Sequence, residues 1–379
     1  NELITAAKAT GMKICADVRR IMEGRDPLKG YKPVVPIAQR LAEAFADDEV
    51  IVSWKIADEP SLGAMVQLAM GMRAIAEADH LGRPQLIEFN NTATFAAFTP
   101  YLNLNCWDLY PVLQGSRNPW AIREQTRRYR ELMPDRPMWA VLQSFETRPP
   151  APDGAYVRPS DAEIRMMAYM AIAEGAKGLC WYSGWSGHGR DEGLVGRTGV
   201  HKGGMMATLK GLAKRLIPIG KQLLHTDPVH RSNIKVEQEQ GNRGIVVSAL
   251  RHRQRDVTFL VAVNEDLTNV RSARVMLADD TPVFDLYALN GRNLASGNTF
   301  TIGALAGGDG RIYLVAGAGE YGSLSAHIRS DTALEQIRVL TPDVSIARRW
   351  GIDLTEVNAA LAACREFAEI GAANDAQAQ

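Results

Sequence analysis

The sequence predicts an α/β protein in which a parallel sheet is followed by an antiparallel β-sandwich and a helical C-terminal segment. Between residues 3 and 224, short apolar runs rich in β-forming residues alternate with helical stretches, which is typical of βα units. After Asp227-Pro228 the pattern changes to alternating apolar and polar residues with turn signals. From about residue 323 to 368 the pattern is helical again. We therefore expect three domains, over 1–226, 227–318 and 319–379, with a disordered polar tail from residue 372.

Six apolar segments are predicted as the strands of the parallel sheet, at 12–18, 50–57, 84–90, 103–111, 137–145 and 178–185. Helices are predicted at 34–46, 62–78, 120–132, 160–174 and 202–223. Ser160 can cap the helix that follows it, and Glu163 can return the bond as in a capping box. The strands predicted for the sandwich are 244–250, 257–263, 274–277, 283–289 and 311–315.

Six parallel strands fit either an open doubly wound sheet or part of an eight-stranded barrel. No G-x-G-x-x-G motif follows a strand, which weakens the dinucleotide-binding version of the open sheet. Hydrophobic periodicity alone does not choose between the two folds.

Composition excludes several classes of protein. The 379 residues are 46% hydrophobic and 23% charged, which is enough to bury an ordinary globular core. Basic and acidic residues both number 43, so the chain lacks the positive charge of a general nucleic-acid binder. Four cysteines lie far apart without a C-x-x-C pair, which indicates neither a zinc site nor a disulfide framework.

No apolar run is long enough to cross a membrane, so we expect a soluble protein. The first residues lack the features of a signal peptide, and the sequence leaves both compartment and oligomeric state open. A signal peptide in a segment upstream of Asn1 would make the protein secreted or periplasmic.

The strongest local signal is the segment Ile51-Val52-Ser53-Trp54-Lys55-Ile56-Ala57-Asp58-Glu59-Pro60, in which an apolar strand ends in two carboxylates. The carboxyl ends of parallel strands form the active-site rim in α/β folds, which favours a functional role for Asp58 and Glu59. The alternative is that one of them caps the helix that starts near Ser61. A single cap would account for only one of the two acids.

The strand-ending motifs resemble those of a known group of enzymes. In order they are Ala57-Asp58-Glu59-Pro60, Trp107-Asp108-Leu109-Tyr110-Pro111, Trp139-Ala140-Val141-Leu142-Gln143 and Leu179-Cys180-Trp181-Tyr182. They resemble a glycoside hydrolase (β/α)8 TIM barrel of the large retaining clan that includes the family 42 β-galactosidases, over residues 3–224. The resemblance implies that these are strands three to eight, with the first two βα units preceding Asn1. A barrel followed by a β-sandwich is similar to many bacterial carbohydrate-active proteins.

The resemblance implies that Glu59 is the general acid/base. The residue before it in the clan is usually Asn, and here it is Asp58, which would alter contact with the sugar 2-hydroxyl. Burial beside Asp58 would raise the pKa of Glu59 towards neutrality. At the position of the clan's nucleophile the chain carries Gln143, an amide that cannot attack an anomeric carbon.

Two other acids could complete the catalytic pair. Glu146 follows Gln143 by three residues and could reach the site from its loop, or it could be a solvated charge. Asp108 ends the next-but-one strand after Glu59, and its alternative is a buried residue that satisfies loop amides. The pair would lie about 5 to 5.5 Å apart in a retaining enzyme and roughly 6.5 to 9.5 Å apart in an inverting one.

Polar and aromatic residues at the strand ends are predicted to bind a carbohydrate. Aromatic rings can stack on sugar faces, and the platform we expect is Trp181, Tyr182 and Trp185. The full set of predicted substrate-binding residues is Asp17, Asp58, Glu88, Asn90, Trp107, Tyr110, Gln143, Trp181, Tyr182 and Trp185.

Three functions follow from these residues. The first is hydrolysis of an O-glycosidic bond by Glu59 without a cofactor or metal. The second is carbohydrate binding without cleavage, because Gln143 replaces the expected nucleophile. The third is an enolase-like site in which Asp17, Asp58 or Glu59, Glu88 and Asp108 hold Mg²⁺. That site also needs a base, and we expect Lys55 to point away from the rim.

Overall fold

The computed structural model describes residues 2–22, 34–148, 152–184, 186, 191–196, 204–229, 234–238 and 243–349, with residues 355 and 362. Contacts divide the chain into two compact units. The first comprises 1–110, 124–142 and 178–181, and the second comprises 111–123, 143–177 and 182–379. These units follow spatial contacts rather than chain order, and the three-domain division at 226 and 318 stays a prediction. The polar tail from residue 372 lies outside the described residues.

The described helices are Glu2–Thr10 (α1), Arg19–Met22 (α2), Val34–Ala44 (α3), Met65–Ala78 (α4), Thr92–Phe98 (α5), Ala121–Leu132 (α6), Asp161–Ala173 (α7), Met205–Leu224 (α8) and Ala318–Arg349 (α9). Single 3-10 turns lie at Leu62–Ala64 and Thr99–Tyr101. None of the helices in the described residues combines the length and apolarity needed to cross a membrane.

The described strands are Ile14–Asp17 (β1), Ile51–Asp58 (β2), Gln85–Phe89 (β3), Asn105–Leu109 (β4), Val112–Leu113 (β5), Ser116–Arg117 (β6), Met138–Gln143 (β7), Glu146–Thr147 (β8), Gly178–Tyr182 (β9), Asp191–Glu192 (β10), Thr226–Val229 (β11), Lys235–Glu237 (β12), Ile245–His252 (β13), Thr258–Asn264 (β14), Arg271–Met276 (β15), Val283–Asp285 (β16), Thr299–Leu305 (β17) and Gly310–Val315 (β18).

The first unit is built on a six-stranded sheet in the order β1-β2-β3-β4-β7-β9, which curls into a half-barrel. Its strands from β1 to β7 pair in parallel, as the alternation of apolar runs and helices predicts. Each of the six strands lies where an apolar segment predicts it.

The helix-facing side of this sheet is an aromatic core. The ring of Phe89 packs 5.3 Å from Phe95 and 5.4 Å from Phe98, measured between ring centroids. Trp107 packs 6.1 Å from Tyr129, which lies on α6. These side chains are almost completely excluded from solvent. Because successive residues of a strand point to opposite faces, the polar neighbours of these aromatics point to the other side of the sheet.

Besides the two-stranded pairs β5-β6 and β8-β10, the second unit contains two larger antiparallel sheets among its described residues. One has five strands in the order β11-β13-β14-β18-β16, and the other has three in the order β12-β15-β17. Side chains from both sheets, such as Val247, Leu260, Val275 and Ile302, belong to one buried hydrophobic cluster. Burial of apolar side chains at about 25 cal/mol per Å² is therefore what stabilises the pairing of the two sheets.

The sequence and the structure differ at the strand predicted over 283–289. The strand β16 ends at Asp285 because the Asp285 carboxylate accepts hydrogen bonds from the amides of Tyr287 and Ala288, which turns the chain. The predicted capping box at the start of α7 is confirmed. The Ser160 hydroxyl accepts a bond from the Glu163 amide, and the Glu163 carboxylate accepts one from the Ser160 amide at 2.7 Å.

Candidate functional site

A bulge in β2 brings Lys55 and Asp58 to the same face of the sheet. The pairing of β2 with β3 shifts register between Lys55 and Ala57, which inserts one residue into the alternation of side chains. The Lys55 amine consequently contacts the carboxylate of Glu88 and lies 3.5 Å from that of Asp58. The expectation that Lys55 points away from the strand-end rim is therefore wrong. In an unbulged strand, two residues three apart would face opposite sides.

A chain of ion pairs crosses the ends of the first three strands. The Arg19 guanidinium binds Asp17 at 2.7 Å and also contacts the carboxylate of Asp58. Lys55 then joins Asp58 to Glu88. Each of the two cations is thus shared between two carboxylates of the first unit.

These contacts shift the pKa values of the groups involved. Burial opposes the charged form of Lys55, but the carboxylates of Glu88 and Asp58 outweigh burial and raise its pKa. Burial and the charge of Asp58 raise the pKa of Glu88, although its ion pair with Lys55 acts in the opposite direction. Partial burial would raise the pKa of Asp17, but hydrogen bonds from Arg19 lower it overall.

Asp108 is a buried carboxyl that keeps its proton at neutral pH. Only 3% of the residue is exposed, and its Oδ1 atom has no hydrogen-bond partner among the described residues. Burial raises its pKa to about 8, and the charges of Glu88, Glu59 and Asp58 add to the shift. A hydrogen bond from Tyr110 acts in the opposite direction without reversing it. A protonated carboxyl of this kind can serve as a general acid.

The raised pKa of Asp108 predicts how stability depends on pH. The folded pKa of about 8 lies above the usual value for an unfolded chain, so Asp108 lowers the free energy of unfolding progressively as pH rises from about 4 to 8. In Asp108→Asn the side chain is neutral at every pH. We therefore expect the stability of this variant relative to the wild type to improve from pH 5 to pH 8 in urea unfolding.

The matched control for that measurement is Asp153→Asn, which makes the same change at an exposed position. Its difference from the wild type should be almost independent of pH. A difference between Asp108→Asn and the wild type that is flat over the same range would show that Asp108 ionises normally.

Glu59 lies directly after β2 with a backbone φ of 48°, in the left-handed region. Its amide donates a 2.8 Å hydrogen bond to the carbonyl of Glu88, which fixes the backbone beside β3. Its side chain is exposed, so the expected burial of Glu59 is wrong. The chain leaves the sheet at this residue, which directs the carboxyl towards solvent rather than into the core.

The structure does not support a capping role for Asp58 or Glu59. The 3-10 turn that precedes α4 starts at Leu62 with Ser61 at the N-cap position, and no side chain caps it. The carboxylate of Asp58 instead binds Arg19 and Lys55.

Gln143 ends β7, belongs to the second unit and is fully buried. Its amide nitrogen donates to the carbonyls of Val112 at 3.0 Å, Val157 at 3.0 Å and Phe145 at 3.3 Å. Its amide oxygen accepts a 2.9 Å bond from the Val112 amide. The side chain is therefore used entirely to hold backbone, and it offers no free group to a substrate.

Glu146 also belongs to the second unit, in the strand β8, which pairs antiparallel with β10. Its carboxylate binds the guanidinium of Arg158, with one nitrogen to oxygen distance of 3.0 Å. The side chain is partly exposed, but this ion pair already neutralises its charge.

The aromatic and amide residues that are predicted to bind substrate do not share one location in the structure. Trp107 is fully buried against Tyr129, on the face of β4 opposite to Asp108, so the structure does not bring it to the strand-end cluster. Trp181 is half-buried, and Asn90 is exposed after the end of β3. Tyr182, in the second unit, packs 5.2 Å from Phe145, and Trp185 lies outside the described residues.

Sequence reasoning brought Asp17, Asp58, Glu59, Glu88, Asp108 and Tyr110 to one site, and the first unit contains all of them. Arg19 was not predicted as a site residue, and the predicted orientation of Lys55, away from the rim, is wrong. A signal was present for each: Lys55 is a single charge within an otherwise apolar strand, and Arg19 follows the strand-ending Asp17 by two residues. Within the described part of the chain, no group of three or more His, Cys, Asp or Glu side chains could hold a metal ion.

The chain is similar in fold to solved glycoside hydrolases. A glycoside hydrolase family 5 protein from Bacteroides vulgatus matches 84% of this chain and 74% of its own, with a TM-score of 0.57 and 16% identity. A β-galactosidase from Bacillus circulans sp. alkalophilus matches 83% of this chain and 87% of its own, with a TM-score of 0.56 and 9% identity. No protein-family model and no curated protein matches the chain. The glycoside hydrolase type of fold is confirmed, and membership of family 42 stays a prediction.

Proposed function

We propose that the protein is a glycosidase that hydrolyses an O-glycosidic bond at the carboxylate cluster of the first unit. The observation that carries this proposal is the left-handed backbone of Glu59, which holds an exposed carboxyl at the end of β2. This backbone conformation costs a residue other than glycine about 1–2 kcal/mol. Strain of this kind clusters at functional sites, where the position of a side chain matters more than stability.

Glycoside hydrolysis needs one carboxyl that carries a proton and one that is ionised. The pKa of Asp108 is raised to about 8, so its carboxyl is largely protonated at neutral pH. Glu59 is exposed, and no ion-pair partner for it is found among the residues that the structure describes. We therefore assign Asp108 as the acid that protonates the leaving oxygen, and Glu59 as the base that takes a proton from the attacking water.

Strand spacing supports an inverting reaction for this pair. Glu59 directly follows β2 and Asp108 lies in β4, and these two strands are separated by β3. Two interstrand spacings amount to about 9.5 Å. That is close to the roughly 6.5 to 9.5 Å that leaves room for a water between the carboxyls. The hydroxyl from this water attacks the anomeric carbon, the glycosidic bond breaks, and the leaving oxygen takes the proton of Asp108.

The experiment is hydrolysis of a panel of aryl glycosides, with the anomeric configuration of the first product followed by NMR. We expect turnover of at least one glycoside, inversion at the anomeric carbon, and no loss of turnover in EDTA. Retention of configuration would exclude the assigned pair and direct attention to Glu146. Loss of turnover in EDTA would favour the enolase-like alternative.

A second candidate function is carbohydrate binding without cleavage, and the contacts of Gln143 favour it. The position that the resemblance assigns to a nucleophile holds an amide bound to three carbonyls, which has a structural role. Oligosaccharide binding without any cleavage in the panel would support this candidate. Under both candidates we propose that the half-barrel is part of a (β/α)8 barrel and that the two antiparallel sheets are a β-sandwich.

A further inference from the structure

The charges at the ends of the first three strands do not balance. Among the described residues, two cations contact this cluster, and both are engaged by carboxylates. Three carboxylates contact these cations, and the exposed carboxyl of Glu59 follows directly after β2, so the described groups carry a surplus of two negative charges. The groups in this count are Arg19 and Lys55 against Asp17, Asp58, Glu59 and Glu88.

The surplus lies where a ligand can reach it. The Asp17 side chain is 46% exposed, and the Glu59 side chain is exposed as well. The exposed part of the site therefore presents carboxylate oxygens to an incoming molecule.

A second, independent observation also points to a ligand. Asp108 lies close enough to this network for the charges of Glu88, Glu59 and Asp58 to act on it. The residue is only 3% exposed, and its Oδ1 atom has no hydrogen-bond partner in the part of the chain that the structure describes. A buried polar atom left without a partner costs about 1–3 kcal/mol. A ligand that forms a hydrogen bond with the Asp108 carboxyl would satisfy that atom.

From these two features we propose that the substrate carries a protonated amine, and that the site is selective for amino sugars over neutral ones. This inference rests on the proposed function, because it names the substrate class of the same site. An ammonium group supplies both a positive charge and three hydrogen-bond donors, which match the surplus carboxylates. A sugar hydroxyl supplies a donor but no charge.

The test compares binding of three tetrasaccharides with the same backbone: a chitosan, a chitin and a cellulose tetramer. They carry an ammonium, an acetamide and a hydroxyl group at the same ring position. Galactosamine and galactose form a second pair for the other common sugar configuration. Binding is measured by calorimetry at low and high salt, so the test does not depend on cleavage.

We expect the amine to bind about tenfold more tightly than its neutral counterparts at low salt. Raising the ionic strength to 1 M should reduce that preference, because charges at an exposed site are screened. Glu59→Gln should reduce it to about threefold, and Glu77→Gln should leave it unchanged. Glu77 is the matched control, since it is an exposed carboxylate on α4 paired with Arg73.

Equal binding of amine and neutral sugars would overturn this inference and leave the proposed function standing. Absence of binding for all of these sugars, together with absence of turnover in the aryl glycoside panel, would overturn both. A preference for amines that survives both high salt and Glu59→Gln would also overturn the inference, because its cause would lie elsewhere in the protein.

Discussion

Replacing Glu59 with Gln should lower kcat for the best aryl glycoside by about 10²- to 10⁴-fold, which is the usual contribution of a general base. The amide has the same shape as the carboxyl, so the exposed side chain should change neither folding nor substrate binding through its size. For a neutral aryl glycoside the loss should appear in kcat rather than in KM, because the proton is transferred only in the transition state. Steady-state kinetics of the purified variant measure both constants.

The matched control is Glu77→Gln, which makes the same change on α4 and should leave kcat within about twofold. Turnover by Glu59→Gln at the wild-type rate would remove Glu59 from the reaction.

A variant at the same position separates function from folding. Glycine adopts a φ near 48° without the steric cost that glutamate pays. We therefore expect Glu59→Gly to lose turnover as Glu59→Gln does, while its free energy of unfolding rises by about 1 kcal/mol or stays level. A loss of stability in the glycine variant would mean that the Glu59 side chain holds the fold, which would weaken the argument from strain.

The sequence allows the strands and most of the carboxyl cluster to be predicted, and the reason is physical. An apolar run that ends in acids identifies both a buried strand and its solvent-facing end, which is how Asp58, Glu88 and Asp108 could be placed together. The parallel strands then align those ends at one edge of the sheet. Local patterns are sufficient for this part of the site.

The errors arise where a feature depends on contacts between distant segments. The bulge that turns Lys55 towards Asp58 lies in the pairing of β2 with β3, and the residues of β2 alone give no indication of it. Trp107 resembles a strand-end platform in sequence, but its pairing with Tyr129 on α6 makes it a core residue. The left-handed backbone at Glu59 is likewise fixed by a bond to Glu88 on another strand.

Gln143 illustrates the same limit and leads to a prediction about stability. The resemblance treats it as a replaced nucleophile, whereas the structure surrounds its amide nitrogen with the carbonyls of Val112, Phe145 and Val157. A carboxylate has no proton to donate to them, so Gln143→Glu would place a buried negative charge against three carbonyl oxygens. We expect it to lower the free energy of unfolding by about 3–5 kcal/mol at neutral pH, measured by urea unfolding.

The sign of the pH dependence follows from the same contacts. Burial and the carbonyl oxygens would raise the folded pKa of a glutamate at this position above its unfolded value of about 4.3. The loss should therefore be smallest below pH 4, where the acid is protonated in both states, and grow as pH rises towards the folded pKa. The matched control is Gln67→Glu, which removes a single bond to the Met22 carbonyl at a half-buried position and should cost less than about 1 kcal/mol.

The activity of Gln143→Glu shows whether this position has only a structural role or can hold a catalytic nucleophile. If the amide has only a structural role, restoring a glutamate adds no turnover, and the variant is merely less stable. A stable Gln143→Glu protein that hydrolyses glycosides faster than the wild type, with retention at the anomeric carbon, would show that the position can seat a nucleophile. That result would replace the pair of Glu59 and Asp108 with a retaining pair. Unfolding curves and product stereochemistry of one variant thus test the fold argument and the mechanism together.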